Sequence, residues 1–404
     1  MASNRWQGGA KKVAQINRVT PTAVNSETYT ITINLKTITY TADASATVAE
    51  ITAGLTTAFN ASTEPEFAEI TATDSTTYVT LTADVAGDPF TNTSSASGAA
   101  TLVTAINTAS TGPEDWSTAA NWSLNAVPVV TDDVYLDKSD WDIKYGLSQA
   151  GATLTSLTIG PAFTKKIGLP DINADGTTYA EYRTKELTID ATTVNIDSPS
   201  SMIRINAGTV QTILNVQQTG SAPVTGQQAV MWRGTHASNV VNITAGQVGV
   251  AVDGETTAVI ATLRLGDRDG AGAEVWLRNV TLTTVEMQSG TVHLETGGTT
   301  LTVNSGTCEL MLGNWTTINA RGGEIRYLGV GTITTLNCSG GSVVDFSRDQ
   351  RARTVTTCQA YEGATIIDPY RTVTWSNGVN CNHCSKDDIS WNAGENIKVT
   401  VANL

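Results

Sequence analysis

The sequence predicts a mainly β protein, a right-handed parallel β-helix (β-solenoid) preceded by a small ββαββ α+β module. Three observations carry this. First, glycine returns in one local frame along the second half of the chain. It occurs in Ser289-Gly290-Thr291-Val292, Ser305-Gly306-Thr307-Cys308, Gly322-Gly323-Glu324-Ile325, Gly340-Gly341-Ser342-Val343 and Glu362-Gly363-Ala364-Thr365. Subtracting the positions 290, 306, 323, 341 and 363 gives steps of 16, 17, 18 and 22 residues. A repeat this short cannot close a core of its own, so successive copies must stack. Second, the flanking runs place apolar residues at alternate positions, as in Val285, Met287, Val292 and Leu294, the period of a strand. Third, only 15% of the 404 residues are charged, and Thr, Gly, Ala and Val dominate. Such a composition favours pleated, half-buried surface over helix.

Residues 1–20 read as an amino-terminal arm. Arg5, Lys11, Lys12 and Arg18 lie there with Trp6 and no acidic residue, in a chain whose formal net charge is −14. Two readings stand side by side, a solvated start of chain and an anchor that docks on an acidic partner surface. Residues 21–112 read as a small α+β docking module and linker. Tyr29 to Ile33 and Ile38 to Tyr40 alternate like a hairpin. Thr47-Val48-Ala49-Glu50 is a capping box, and Val48, Ile51, Leu55 and Phe59 follow at helical spacing. Ile70 and Ala72 against Val79 and Leu81 give a second hairpin that turns at Asp74-Ser75. Asn92 to Gly112, rich in Ser, Thr, Ala and Gly, reads as a connection with an edge strand near Leu102-Val103.

Residues 113–404 read as the β-helix. A cap at 113–137 carries Trp116 and Trp122, which can plug the open end of the first coil, and a second cap at 385–404 carries Trp391. A solenoid needs such caps because a bare terminal coil is an open sheet edge. The corner glycines Gly290, Gly306, Gly323, Gly341 and Gly363 mark where the chain bends from one face to the next, often at positive φ. Asn206-Ala207-Gly208 and Thr244-Ala245-Gly246 fit the same frame upstream, each gap suiting two coils. A dozen coils at about 4.8 Å each make a rod of roughly 60 Å.

Two longer segments and the opening carry a resemblance. The ββαββ module resembles modules of phage and prophage structural proteins. Trp116, Asn121-Trp122-Ser123, Pro128 and Asp132-Asp133-Val134 are similar to the first coil of bacterial and phage β-helix proteins. The opening Asn4-Arg5-Trp6-Gln7-Gly8-Gly9-Ala10 resembles the start of proteins encoded among phage head genes. The resemblance implies a virion component made in the host cytoplasm, a capsid decoration (cement or head fibre) protein or a tail spike or fibre. It also implies a homotrimer whose partners are its own copies and the major capsid protein or other virion proteins.

The acidic balance, with a pI near 4.6, argues against a nucleic-acid binder. No apolar stretch reaches the ~18 residues of a membrane span, and the opening lacks the apolar core of a signal peptide. Five cysteines, an odd number, do not make a secreted disulfide scaffold.

The strongest metal-like pattern is Asp171-Ile172-Asn173-Ala174-Asp175-Gly176, with oxygen ligands at relative positions 1, 3 and 5 and Glu181 nearby. Asp171, Asn173, Asp175 and Glu181 are therefore candidate Ca²⁺ ligands. An ordinary Asx-turn loop competes, because Tyr182 replaces the usual position-12 glutamate. Asp267-Arg268-Asp269-Gly270 reads as a turn. Cys381-Asn382-His383-Cys384 lacks the second ligand pair that zinc needs, so interior stacking of thiols at 338, 358 and 381 is the expectation. Glu286, Glu295, Glu309 and Glu324 are the carboxylates a glycosidase would need. Alternation points each outward, as solubilising charge. The histidines, 236, 293 and 383, are far apart. No catalytic residue is assigned. The expected function is non-enzymatic and structural; the alternative is a tail spike or fibre that binds or cleaves host surface polysaccharide. Trp232, Trp276, Trp315 and Trp375 are expected in buried stacks or inter-chain contacts, and an exposed face shared by several would favour sugar binding.

Overall fold

A computed structural model describes the chain except residues 1, 139, 174–178, 223–226, 253–256, 268–271, 383–389, 394–398 and 402–404, with 390–393 and 399–401 described as backbone. Each strand beyond residue 187 pairs in parallel with a strand one coil further along, so the strands form columns. One column rises through Leu187–Asp197, Ile213–Gln218, Val240–Ile243, Ala258–Leu265, Val280–Met287, Gly298–Val303, Trp315–Ala320, Thr332–Cys338 and Arg353–Ala360. A second rises through Ile203–Asn206, Val230–Arg233, Gly246–Val250, Ala273–Leu277, Thr291–Leu294, Thr307–Leu310, Glu324–Tyr327, Val343–Asp345 and Thr365–Asp368. This is the parallel β-helix the repeat implied.

Inside, aligned residues stack coil on coil. Leu263, Val285, Leu301, Ile318, Leu336 and Cys358 form one such stack, and all are fully buried. Parallel pairing keeps a given position facing inward on every coil, so one continuous apolar core runs the length of the rod. Cys338 and Cys381 share an interior stack with Ala360 between them, while Cys358 sits two residues across and Cys308 lies on the other column. All four are free and buried, the apolar packing expected of them; His383 and Cys384 lie outside the described residues.

The corner glycines stack as well. Gly290, Gly306, Gly323, Gly341 and Gly363 have φ of 87°, 88°, 70°, 75° and 80°. At Gly306 a Cβ would stand 2.4 Å from the Gly290 carbonyl oxygen of the coil beneath. At Gly341 it would meet nothing within 4 Å. Replacing Gly306 by alanine should therefore cost more than the about 1–3 kcal/mol of left-handed strain alone, and Gly341→Ala only that strain. Equal losses in chemical denaturation at the two sites would contradict the close-approach argument. Gly246 lies in this column beneath Ala273, so two coils do separate it from Gly290. Gly208 does not. It follows Ile203–Asn206 at the opposite end of that face, whereas Gly246 opens the aligned strand.

The module is larger than ββαββ. Define β1 as Ser3–Arg5, β2 as Ile16–Pro21, β3 as Thr28–Ile33, β4 as Lys36–Thr41, α1 as Val48–Asn60, β5 as Ile70–Asp74, β6 as Val79–Ala83, β7 as Asn92–Ala96 and β8 as Leu102–Thr108. Two antiparallel sheets result, ordered β5-β6-β2-β8 and β4-β3-β7. Their core includes Val19, Tyr29, Ile31, Leu55, Phe59 and Leu81. The capping box forms, with Thr47 accepting from the Glu50 amide and the Glu50 carboxylate accepting from the Thr47 amide. The edge strand expected near Leu102-Val103 is β8, at the end of its sheet, and the segment before it, expected as a connection, supplies β7, because main-chain pairing tolerates Ser and Thr on its solvent side.

Residues 1–20 are not an arm. β1 is the lowest rung of the first column, pairing in parallel with Asp133–Leu136. Trp6 is 1% exposed and packs with Trp116 and Trp122, ring centroids 6.1 and 5.0 Å away. The two-tryptophan plug expected at the base is thus a three-tryptophan plug. Arg5 pairs with Asp137 and lies over the Tyr135 ring, Lys12 reaches Glu114 at 3.1 Å, and Arg18, on β2, covers Tyr78. A charge count along the chain missed this because the partners are more than a hundred residues away for Arg5 and Lys12. At the far end, Ser390–Ala393 and Val399–Val401 continue both columns.

Candidate functional site

Two outward surfaces of the β-helix carry structure that its core does not require. The first is a ledge on the first column, where consecutive residues point outward at a bend. Thr283-Thr284, Thr299-Thr300, Thr316-Thr317, Thr334-Thr335 and Thr356-Thr357 stand one above the other, for Thr284 aligns with Thr300, Thr317, Thr335 and Thr357 in turn. Each pair precedes its corner glycine by seven residues, as 290 − 283 and 306 − 299 show. That signal was readable in the sequence, in the same frame as the glycines.

Two residues beyond the threonines runs a second ladder. Asn215 Nδ2 donates to Asn195 Oδ1 at 2.9 Å and Asn242 Nδ2 to Asn215 Oδ1 at 2.8 Å. Higher up, Asn337 Nδ2 donates to Asn319 Oδ1 at 2.8 Å. Between these runs lies an Arg264–Glu286 pair at 2.9 Å. From Thr299 to Gln359 the ledge is uncharged. Outward threonines repeat at about 4.8 Å spacing and the amides beside them hydrogen-bond along the axis, so the ledge is flat and regular from coil to coil.

The second surface is a groove of about 530 Å³ on the other column. Trp276 forms its platform, aligned with His293 above and with Gly249 below. The indole stacks on the His293 ring at 4.9 Å with a 13° interplanar angle. His293 Nδ1 lies 2.8 Å from Glu309 Oε2, while Nε2 makes no hydrogen bond, Glu274 Oε1 being 3.6 Å away. Gln228, only 6% exposed, lays its carboxamide over Gly249 and leaves Oε1 without a partner.

The four glutamates do point outward, and each faces a cation: Glu286 faces Arg264, Glu295 faces Arg278 at 3.1 Å, and Glu309 and Glu324 share Arg326. Of the tryptophans, Trp232 and Trp315 are buried and Trp375 packs against the core edge, whereas Trp276 opens onto the groove. Sequence reasoning missed the groove because 276 − 249 is 27 and 293 − 276 is 17. Unequal coil lengths hide which residues align.

The described candidate calcium ligands, Asp171, Asn173 and Glu181, each have protein partners. Asp171 accepts from Arg204 Nη1 at 2.9 Å and from Lys185 Nζ at 2.8 Å. Glu181 binds Arg183 at 2.8 Å, Asn173 donates to Tyr179 Oη at 2.9 Å, and Asp175 lies outside the described residues. Among the described residues no group of three or more His, Cys, Asp or Glu could hold a metal. Arg204 and Lys185 hold the Asp171 carboxyl down at about 2, with Arg204 the larger cause. A depressed carboxyl stabilises the fold above its unfolded pKa, near 3.9, and loses that contribution as pH falls toward 2. Asp171→Asn should therefore be less stable than the parent at neutral pH, and the gap should close on acidification below about pH 4; a gap that persists there contradicts the ion-pair role.

The fold places the chain among parallel β-helix proteins. Beyond that class, no protein-family model matches it, and no curated protein does.

Proposed function

We propose that the chain is a non-enzymatic structural component of a phage virion, a capsid decoration protein that works by burying its flat face. The uncharged stretch of the ledge, Thr299 to Gln359, carries the reading. A rod whose outward amides already bond along the axis beside uncharged threonines can meet another regular surface without stranding charge. Symmetry mates present such a surface, so a homotrimer and a capsid lattice are the natural partners. The anchoring role given to residues 1–20 moves to this face, because those residues are built into the base of the rod and into the module. Nucleic acid and membrane are not partners in this reading.

Two measurements test it. Gradient-purified particles should carry the chain at a fixed copy number, with a labelled copy mapping to the head. Its absence from purified particles ends the proposal, and a label confined to the tail replaces decoration by a spike. In solution, sedimentation should return three times 42.4 kDa. Lysine at both Thr317 and Thr335 should weaken that association, since like charges in register repel. A monomer at every concentration tested would remove the trimer from the proposal.

A further inference from the structure

The groove on the second column has features that packing alone does not explain. Outward positions on a β-helix face normally fill with side chains that touch the coil above and below, as Trp276 touches His293. Directly beneath Trp276 stands Gly249, whose φ is not in the left-handed region. Its glycine identity therefore serves space and not a turn. The space its side chain would take is occupied by Gln228 Oε1 and Val252 Cγ2, and the Trp276 indole lines the groove beside them. Gln228 reaches over that floor, and its carbonyl oxygen, in a residue 94% removed from solvent, accepts nothing. Such an orphan acceptor costs stability unless something donates to it. His293 Nε2, 3.6 Å from Glu274 Oε1, makes no hydrogen bond.

We propose that this groove binds a neutral, hydroxyl-rich saccharide, one pyranose ring lying against Trp276. The apolar face of a pyranose suits an indole, and its hydroxyls are the donors that Gln228 Oε1 lacks, while Glu274, which accepts from Gln247 at 3.2 Å, has acceptor capacity left for another. Other ligand classes fit worse. A phosphorylated ligand would face Glu274 and Glu295 with Arg278 already committed to Glu295. An apolar ligand would seal Gln228 Oε1 and His293 Nε2 away unpaired. The inference stands whether or not the rod belongs to a virion.

The test is a glycan array of neutral hexose, deoxyhexose and N-acetylhexosamine oligomers, with a single-stranded oligonucleotide as the competing class. Hits are followed by titration calorimetry on the full chain. Binding of at least one saccharide is expected, weakened by about tenfold or more in Trp276→Ala, which removes the stacking face. Gly249→Ala, whose Cβ would come 2.5 Å from Gln228 Oε1 and displace that flexible side chain, should weaken it similarly. Both positions face outward, and circular dichroism of each variant checks that the coil is intact. Silence across the array, preference for the oligonucleotide, or affinity unchanged in a folded Gly249→Ala protein would each overturn the proposal.

Discussion

Trp6→Ala should destabilise the β-helix by about 3–5 kcal/mol, as large-to-small changes at buried aromatic sites do. Trp6 is 1% exposed and lies edge-on to Trp122 at 5.0 Å, in a cluster that Trp116 completes. The cluster is held by directed bonds as well as by packing. Trp122 Nε1 donates to the Trp116 carbonyl at 2.9 Å, and Trp116 Nε1 to Gln149 Oε1 at 2.8 Å. In the same core, Val134 and Leu136 belong to the next coil and Leu157 stacks on Val134 from the one after. Removing the indole opens that core to water. The loss should be read by chemical denaturation, with deletion of residues 2–7 giving at least as much. A near-neutral Trp6→Ala would return the first twenty residues to the status of an arm and leave the base of the rod to Trp116 and Trp122 alone.

The second large effect is expected at Arg183, where the module meets the rod. A segment leaving the β-helix near Asp171 carries Tyr179 and Tyr182 to the module, and Tyr182 packs against the module core. Arg183 binds both Glu181 oxygens at 2.8 and 2.9 Å, Tyr179 Oη at 3.1 Å and, at 3.6 Å, Glu69 of the module. Its side chain is 9% exposed and that of Glu181 1%. Breaking a buried pair by removing one partner costs about 3–5 kcal/mol, because the remaining charge is stranded. Arg183→Ala should therefore loosen the module, seen as an earlier melting step and as faster proteolysis between residues 108 and 116. The double variant Arg183→Met with Glu181→Met should recover most of the loss, since neither charge is then left buried alone. A single variant that melts within about 1 kcal/mol of the parent would show that apolar packing of Tyr182 suffices to hold the two parts together.

Burial also raises Glu69 and Asp88 at this junction, desolvation being the largest cause for each. A raised carboxyl opposes folding at neutral pH and ceases to do so as it protonates. These two groups thus act in the opposite sense to Asp171, while Glu114, which despite its burial is lowered by Lys144 and Lys12, acts in the same sense as Asp171.

How much of this was readable varies by element. The helix Val48–Asn60 was fully legible, because its capping box and apolar spacing are local. The corner column was legible for the same reason, one glycine per coil in one frame. β8 was legible as an edge strand from Leu102-Val103, but β2 and β7 were not, since their polar residues form strands only by pairing with neighbours already in place. Trp6 reads as an isolated aromatic in a basic stretch until the first coil supplies two more tryptophans. The groove depends on Gly249, Trp276 and His293 coming into register across coils of different length. Asp171 and Glu181 looked like ligands in sequence; in the structure Asp171 pairs with Lys185 and with Arg204, thirty-three residues on, and Glu181 pairs with Arg183, its near neighbour.

The sequence by itself determined that the chain coils, where it bends and which residues face inward, because period and corner chemistry act within a single turn of chain. Only the tertiary structure decided what closes the base, how the module is held and which outward side chains meet. Those contacts join residues from different coils or opposite ends of the chain, and their energy comes from burial and pairing that no local pattern encodes.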